Sequence, residues 1–224
     1  MNTLNHIAFI MDGNGRWGLK KKGSRNFGHL EGVKTVQKIV ESSIFFKIPI
    51  ISFYVFSSEN WKRPKNEINY LFNLIKVYFK KEINNILKNK IKINIMGRLN
   101  ALPSDIKKTL INAEKKTKKN KKLIVNLAIN YGSRNEIIDS TKKLNLISKK
   151  INEENVNNNL YLNIPPPDIL IRTGGQKRLS NFMLWQLAYT EIFFLDKLWP
   201  DFTRADLNKV IKKFNKIKRN FGGI

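Results

Sequence analysis

The stretch that decides the fold is His6 to Trp17, which reads HIAFIMDGNGRW. Its first half, Ile7 to Met11, is an almost continuous apolar run, as is typical of a strand buried on both faces of a parallel sheet. Asp12 ends the run, and Gly13-Asn14-Gly15 and Arg16 follow. In open α/β sheets ligands bind where strands end, and an acid beside glycine amides and a guanidinium suits a metal-bound phosphate. The alternative is a tight turn with a capping aspartate, and the stretch alone does not separate the two.

The composition is that of an ordinary globular protein. The chain has 224 residues, of which 42% are hydrophobic and 26% charged, enough for one domain with a sizeable core. The absence of cysteine excludes a disulfide and a thiolate nucleophile, and with two histidines a zinc site is not expected. The N-terminus lacks the pattern of a signal peptide, and no apolar run approaches the roughly 20 residues of a membrane span. We therefore expect a soluble, cytoplasmic protein.

The formal net charge of +25 has two interpretations. It could serve an anionic partner, such as a phosphorylated substrate, an anionic lipid surface or a nucleic acid. It could also reflect compositional drift, since lysine is spread over many segments with small clusters at residues 20–22 and 115–122. The sequence favours drift with a general preference for anions over a dedicated nucleic-acid surface.

Hydrophobic periodicity predicts strands that alternate with helices. Strands are predicted at residues 7–11, 50–56, 91–96, 123–129, 168–172 and 192–195, and helices at 28–46, 67–87, 103–116, 135–146 and 204–219. Residues 18–27 are predicted to form a mobile loop, and residues 148–163 show no strong pattern. The fold class predicted is α/β: one domain over residues 1–224, with a central, largely parallel sheet of about six strands flanked by helices.

Guanidinium groups recur on the loops that follow the predicted strands. Neither the P-loop order, nor the dinucleotide pattern, nor a nucleophile elbow is present. What remains is a set of five arginines on different loops: Arg16, Arg25, Arg63, Arg172 and Arg178. Arginine grips diphosphates bidentately, and five convergent arginines suit two diphosphate groups better than one monophosphate. Asp12 and Glu191 are available for a hard cation.

Several long motifs then point to one family. They are MDGNGRW (11–17), Gly28-His29, FSSENWKRP (56–64), NYGSR (130–134), DILIRTGG (168–175), RLSNF (178–182), WQLAYTE (185–191) and LWPDF (198–202). Their order along nearly the whole chain resembles the bacterial cis-prenyltransferases, and most closely the undecaprenyl diphosphate synthases. The resemblance implies an Mg²⁺-dependent homodimer, with a hydrophobic tunnel for the growing chain and peripheral membrane contact for product release.

The resemblance also implies residue roles. Asp12 matches the catalytic aspartate that holds Mg²⁺ against a diphosphate, and Glu191 matches a second metal ligand. The cradle for the allylic diphosphate matches Gly13, Asn14, Gly15, Arg16, Arg25 and His29. Further substrate contacts match Trp17, Ser57, Ser58, Glu59, Trp61 and Arg63. The isopentenyl diphosphate site matches Arg172, Arg178, Leu179 and Ser180. The tunnel walls are predicted at Val55, residues 71–79 and Leu123.

Two positions call for separate interpretation. Asn60 matches the residue to which the family assigns proton acceptance, but an amide has almost no basicity. We interpret it as a group that orients the diphosphate or a water, while the departing diphosphate takes the proton. Lys177 stands where close relatives often carry histidine, and a charged lysine cannot hold a metal.

Three other functions compete with this interpretation. A trans-prenyltransferase would be all-helical and would carry DDxxD, whereas this chain has no Asp-Asp pair. A non-catalytic partner subunit would be expected to lose motifs, whereas Asp12, Asn60 and residues 178–180 are retained. A nucleic-acid-binding protein rests on charge alone, with no recognised module.

Overall fold

The computed structural model describes residues 2–219. The strands are β1 His6–Ile10, β2 Ile50–Ser57, β3 Ile91–Met96, β4 Leu123–Tyr131, β5 Ile169–Arg172 and β6 Glu191–Phe194. The helices are α1 Asn14–Lys22, α2 Arg25–Phe45, α3 Lys65–Lys88, α4 Ser104–Thr117, α5 Ser133–Leu146, α6 Glu153–Asn159 and α7 Arg204–Phe214. Short 3₁₀ helices occur at Ser58–Lys62, Leu99–Ala101 and Trp199–Asp201.

The six strands form one sheet in the order β3-β4-β2-β1-β5-β6, and every adjacent pair is parallel. The predicted α/β class and parallel sheet are therefore confirmed. β1 lies inside the sheet, and all five of its residues are buried, as its continuous apolar run predicts. Because the strands are parallel, their carboxyl ends share one edge, and Asp12 lies at that edge just beyond β1.

Two apolar clusters cover the two faces of the sheet. The larger contains the rings of Phe9 and Phe53, stacked with centroids 5.2 Å apart, and the ring of Trp199, 5.9 Å from Phe9. The indole N–H of Trp199 donates to the Gly32 carbonyl at 3.0 Å, which ties α2 to the segment before α7. The larger cluster is the one that the candidate site opens into.

The prediction of a mobile loop over residues 18–27 was wrong. That segment belongs to α1 and to the start of α2, and Gly23 closes α1 in a left-handed conformation. The two helices cross closely, since a Cβ on Gly28 would lie 1.9 Å from the Asn14 carbonyl oxygen. The basic composition of α1 conceals this helix, because its stability comes from docking against α2 rather than from an apolar stripe. The short helix α6 was likewise not predicted.

Among the described residues, no helix is both long and apolar enough to cross a membrane.

A chain of buried polar side chains crosses the sheet on the face of the smaller cluster. Asn94 donates to Asn126 at 2.9 Å, Asn126 donates to Ser52 at 3.0 Å, and the Ser52 hydroxyl lies 2.7 Å from Nε2 of His6. Nδ1 of His6 lies 2.7 Å from the Pro165 carbonyl oxygen, so it must carry the proton that this bond needs. Both ring nitrogens are thus satisfied in the neutral form. Burial lowers the pKa of His6 from 6.5 to about 4, despite the opposing carbonyl and Asp168.

We therefore predict that His6 makes the protein acid-sensitive. Since the folded pKa lies below the unfolded one, the unfolded chain binds the extra proton first, and stability falls as pH decreases from 6.5 towards 4. A shift of this size corresponds to roughly 3 kcal/mol at pH 4. Urea unfolding of wild type and His6→Asn at pH 7 and pH 4 measures it. The variant should lose less stability than wild type over that interval, and equal losses would contradict the assignment.

Candidate active site

A cavity of about 450 Å³ opens at the carboxyl edge of the sheet, between the sheet face, α2 and α3. Its mouth is polar and its interior apolar. The mouth contains the predicted residues Asp12, Gly13, Asn14, Gly15, Arg16, Arg25, His29, Ser57, Asn60, Arg63, Arg172, Arg178 and Ser180. The five arginines predicted from separate loops therefore do converge, and they do so around one opening.

Asp12 is held between two guanidinium groups. Its Oδ2 accepts from Arg172 at 2.8 Å and its Oδ1 accepts from Arg16 at 3.2 Å. Arg172, at the end of β5, is 3% exposed and also donates to the Ser180 hydroxyl at 2.7 Å. The Asp12 carbonyl accepts from the Thr173 hydroxyl at 2.8 Å. The carboxylate is thus fixed at the mouth, yet it keeps 27% of its side-chain surface exposed.

A second carboxylate, Glu67 in the first turn of α3, organises the other side of the mouth. Arg25 donates to it through Nε at 3.0 Å, Arg63 donates at 3.1 Å, and Nε2 of His29 lies 3.0 Å from it. Burial would raise the pKa of Glu67, but these hydrogen bonds from Arg25 and His29 hold it below its usual value. Glu67 was not predicted from the sequence. The sequence signal that could have found it is its spacing of four residues from Arg63 at the start of a helix, which allows an ion pair between the two side chains.

The surroundings of His29 favour its neutral form. Burial lowers its pKa, the bond to Glu67 opposes this, and the charges of Arg63 and Arg25 lower the pKa further. A neutral imidazole whose Nε2–H donates a hydrogen bond to Glu67 is a positioned donor rather than a cation. Five guanidinium groups face two carboxylates around the opening, so the mouth as a whole favours a highly charged anion.

Asn60 lies in the 3₁₀ helix that follows β2, and it lines the mouth. Its side-chain oxygen accepts from the Ser57 amide at 3.1 Å in a capping box. The group that it can offer to a ligand is therefore its NH₂, which only donates. This geometry agrees with an orienting role for Asn60 and disagrees with one as a base.

Several predicted site residues do not line the cavity. Among the described residues the cavity wall does not include Trp17, Ser58, Glu59, Trp61 or Leu179. Trp17 stacks on Phe27 with centroids 5.8 Å apart and donates to Asp201 at 2.7 Å. Trp61 is 38% exposed, and its indole N–H donates to Asn130 at 2.8 Å. Trp17 thus ties α1 to α2 and to the segment before α7, and Trp61 ties the 3₁₀ helix after β2 to β4.

Glu191 is not brought to Asp12 in this chain. It begins β6, where it pairs in register with Ile169, which pairs with Ile7. Asp12 follows β1 five residues beyond Ile7, so the two carboxylates lie at opposite edges of the sheet, roughly 16 Å apart along the strand direction. Within one chain the two carboxylates therefore do not meet, because Glu191 precedes its strand whereas Asp12 follows one. Within the described residues no group of three or more metal-ligating side chains occurs.

The interior of the cavity is apolar. Its walls are Val33 and Val36 of α2, Leu71, Leu74, Ile75, Tyr78 and Phe79 of α3, and Val55, Leu127 and Ile129 of the sheet. A second cavity of about 40 Å³ lies deeper and shares Val36, Tyr78, Phe79 and Leu127 with the first. Of the predicted walls, Val55 and five of residues 71–79 line the cavity. Leu123 was also predicted as a wall, but it is fully buried and lines neither cavity. It begins β4, two residues before Val125, which lines the second cavity.

Comparison with known proteins identifies the family. The family described as "Putative undecaprenyl diphosphate synthase" matches residues 10–222. An isoprenyl transferase of Fusobacterium nucleatum is 44% identical over 100% of this chain and 97% of its own length, and one of Rickettsia bellii is 44% identical over 99% of both.

Two solved structures share the architecture. A probable undecaprenyl diphosphate synthase from Campylobacter jejuni superposes with a TM-score of 0.87 at 38% identity and covers all of both chains. A lavandulyl diphosphate synthase from Lavandula x intermedia, in complex with dimethylallyl diphosphate, superposes with a TM-score of 0.93 at 30% identity over 98% of both. The site geometry, the sequence match and the shared fold lead to one conclusion: this chain is a cis-prenyltransferase of the isoprenyl transferase family.

Proposed function

We propose that the protein condenses isopentenyl diphosphate units, in cis, onto an allylic diphosphate such as farnesyl diphosphate. The product would be a long-chain polyprenyl diphosphate such as undecaprenyl diphosphate, the precursor of a lipid carrier for cell-wall synthesis. One observation carries the proposal: a mouth with five arginines opens directly into an apolar cavity of about 450 Å³. Such a cavity suits a molecule with a diphosphate head and a hydrocarbon tail.

Two diphosphates can be assigned to two sides of the mouth. Arg25, Arg63 and His29, held by Glu67, lie next to the α2 and α3 walls, so we assign the allylic diphosphate and its tail to that side. Arg172, Arg178 and Ser180 belong to β5 and the loop after it, and we assign isopentenyl diphosphate to them. Asp12 lies in contact with the second set through Arg172.

The donor set at the mouth fits Mg²⁺ only together with substrate. Mg²⁺ takes oxygen ligands and is usually held by one or two carboxylates with substrate phosphates and water completing the shell. Asp12 is one partly exposed carboxylate in the right place, and diphosphate oxygens would supply further ligands. When bound, the metal would neutralise charge that develops on the departing diphosphate. Glu191 of the same chain is not assigned to this metal, because it lies at the opposite edge of the sheet.

The side chains would act mainly by binding and positioning. The arginines would donate to the diphosphate oxygens and stabilise the charge that accumulates as the allylic C–O bond breaks. Val33, Val36 and the α3 wall would hold the allylic tail and exclude water from the reacting carbons. The isopentenyl double bond would then attack, and the proton that it loses would pass to the departing diphosphate. Asn60 would orient that diphosphate through its NH₂ group.

Assembly and location extend the proposal. We infer a homodimer because apolar side chains remain exposed at the end of α5, with Leu146 85% exposed and Ile151 58% exposed. We also infer a cytoplasmic enzyme in peripheral contact with the plasma membrane, since residues 115–122 present exposed lysines that an anionic leaflet would attract. Sedimentation velocity and flotation with anionic against neutral vesicles test these two inferences; a monomer or the absence of vesicle binding would refute them.

The reaction itself is tested with labelled isopentenyl diphosphate, farnesyl diphosphate and Mg²⁺, followed by product sizing. Wild type should yield long polyprenyl products. Asp12→Ala should lose at least about 2.7–4 kcal/mol of transition-state stabilisation, a factor of roughly 10²–10³ in rate, while its melting temperature stays close to wild type. Asp105→Ala is the matched control, because Asp105 is an exposed aspartate paired with Lys76 away from the cavity. Salt-sensitive DNA binding by a wild-type protein that transfers no prenyl groups would instead favour the nucleic-acid alternative.

Product length should depend on the residues that separate the two cavities. Phe79 lines both, so Phe79→Ala should join them and lengthen the product. Val55→Phe should fill the first cavity and shorten it. Truncating buried Phe79 costs about 3–5 kcal/mol of stability, so Phe214→Ala, fully buried in α7, is the control for destabilisation alone. Thin-layer or mass analysis gives the lengths, and a wild-type distribution from both folded variants would place the length-determining wall elsewhere.

A further inference from the structure

Three loops meet at the mouth of the cavity, and two of them supply residues to its wall. The β2 loop is the 3₁₀ helix Ser58–Lys62, the β4 turn is Gly132–Arg134, and the β5 loop is Arg178–Asn181. The proposed function assigns the β2 loop to the allylic side and the β5 loop to the isopentenyl side. Their junction lies around Asn181.

Asn181 contacts both other loops through its side-chain amide and its backbone carbonyl. Its Nδ2 donates to the Glu59 carboxylate of the β2 loop at 2.8 Å. Its Oδ1 accepts from the Arg134 amide at 2.9 Å, and its backbone carbonyl accepts from the Ser133 amide at 2.8 Å. One asparagine thus joins segments that follow three different strands. An amide suits the position, because it must donate to a carboxylate and accept from a backbone N–H at once.

The close approach of the loops depends on the bare backbone at Gly132. A Cβ there would lie 2.6 Å from Nδ2 of Asn181 and 2.6 Å from the Ser58 hydroxyl. The β5 loop also adopts a backbone that L-residues disfavour, with φ of 50° at Ser180 and 62° at Asn181. Side chains hold it in this form: Arg172 donates to the Ser180 hydroxyl, and the Tyr54 hydroxyl lies 3.2 Å from the Ser180 carbonyl oxygen. A loop held in such a conformation depends on its anchors.

The contacts form a continuous connection between the two sides of the mouth. Glu59 binds Asn181, the neighbouring Ser180 binds Arg172, and Arg172 binds Asp12. Burial alone would raise the pKa of Glu59, but hydrogen bonds from Asn181 and the nearby serines hold it below its usual value, so the carboxylate is charged at pH 7. Arg178 and Ser180 line the cavity, whereas among the described residues Asn181 is not part of its wall.

We propose that Asn181 is a positioning residue that fixes the β5 loop against the β2 loop, so that occupation of the allylic diphosphate site organises the isopentenyl diphosphate site. The inference rests on the proposed function, since it takes the two loops to serve two substrates. Asn181 touches neither substrate. It acts by holding Arg178 and Ser180 where an isopentenyl diphosphate can meet both, and a primer diphosphate oriented by Asn60 of the β2 loop would stabilise the same arrangement.

The test is calorimetry of isopentenyl diphosphate binding in Mg²⁺ buffer, with and without the unreactive thio analogue of farnesyl diphosphate. In wild type the analogue should tighten isopentenyl diphosphate binding at least about fivefold. In Asn181→Ala that factor should fall close to one, while the affinity for the analogue alone stays within about twofold of wild type. The matched control is Asn89→Ala, which removes an exposed asparagine with one hydrogen bond at the end of α3 and should keep the wild-type factor.

A charge exchange distinguishes a specific contact from general damage to the loop. Asn181→Asp keeps the acceptor for the Arg134 amide but sets a carboxylate against Glu59, so it should lose the coupling. Adding Glu59→Gln restores a donor and an acceptor across the contact, and the double variant should regain at least about half of the logarithm of the coupling factor. If Asn181→Ala fails to fold, the comparison of Asn181→Asp with the double variant still tests the proposal.

The outcomes separate the inference from the function on which it rests. A wild type that binds neither diphosphate compound would refute the proposed function. A wild type that binds both without coupling, an Asn181→Ala variant that keeps the wild-type factor, or a double variant with no recovery would each overturn the role of Asn181 while leaving the enzyme assignment intact.

Discussion

All six strands run parallel, and the candidate site depends on that one constraint. A parallel sheet directs every strand's carboxyl end to the same edge, so residues that are far apart in the chain meet there. Asp12 after β1, Asn60 after β2 and Arg172 at the end of β5 come within reach of one opening for this reason. The same constraint removes Glu191 from the opening, since it stands at the beginning of its strand.

The mouth is cationic, and carboxylates lie between its arginines. Arginines that faced only one another would repel, and here each side has a carboxylate that spaces them: Asp12 between Arg16 and Arg172, and Glu67 between Arg25 and Arg63. Charge-assisted hydrogen bonds, bidentate for Arg25, then set the orientation of these four guanidinium groups before substrate arrives. Such preorganisation is what an electrostatic site needs, because donors already in place require little reorganisation as charge develops.

The polar mouth and the apolar interior are two parts of one cavity. The sheet supplies a flat apolar wall, and α2 and α3 cross it at a distance that leaves space unfilled next to Val55, Leu71 and Phe79. Protein interiors are normally close-packed, so a cavity of this size indicates a binding site rather than a packing gap. A hydrocarbon tail that grows into it remains out of water while its diphosphate stays among the arginines.

The sequence by itself determined the α/β class, the six strands to within a few residues and the set of five arginines, because these follow from local periodicity and from residues placed at strand ends. The family resemblance, carried by motifs spread over the chain, assigned roles to single residues. The tertiary structure alone decided that Trp17 and Trp61 make other contacts instead of lining the cavity, that Glu67 holds Arg25 and Arg63, and that Glu191 stands apart from Asp12 in the same chain. It also decided that α1 is a helix, since docking on α2 stabilises it rather than its own pattern. Periodicity shows which face of an element is apolar, but only packing decides whether that face fills the core or lines a cavity, as Leu123 and Phe79 do respectively.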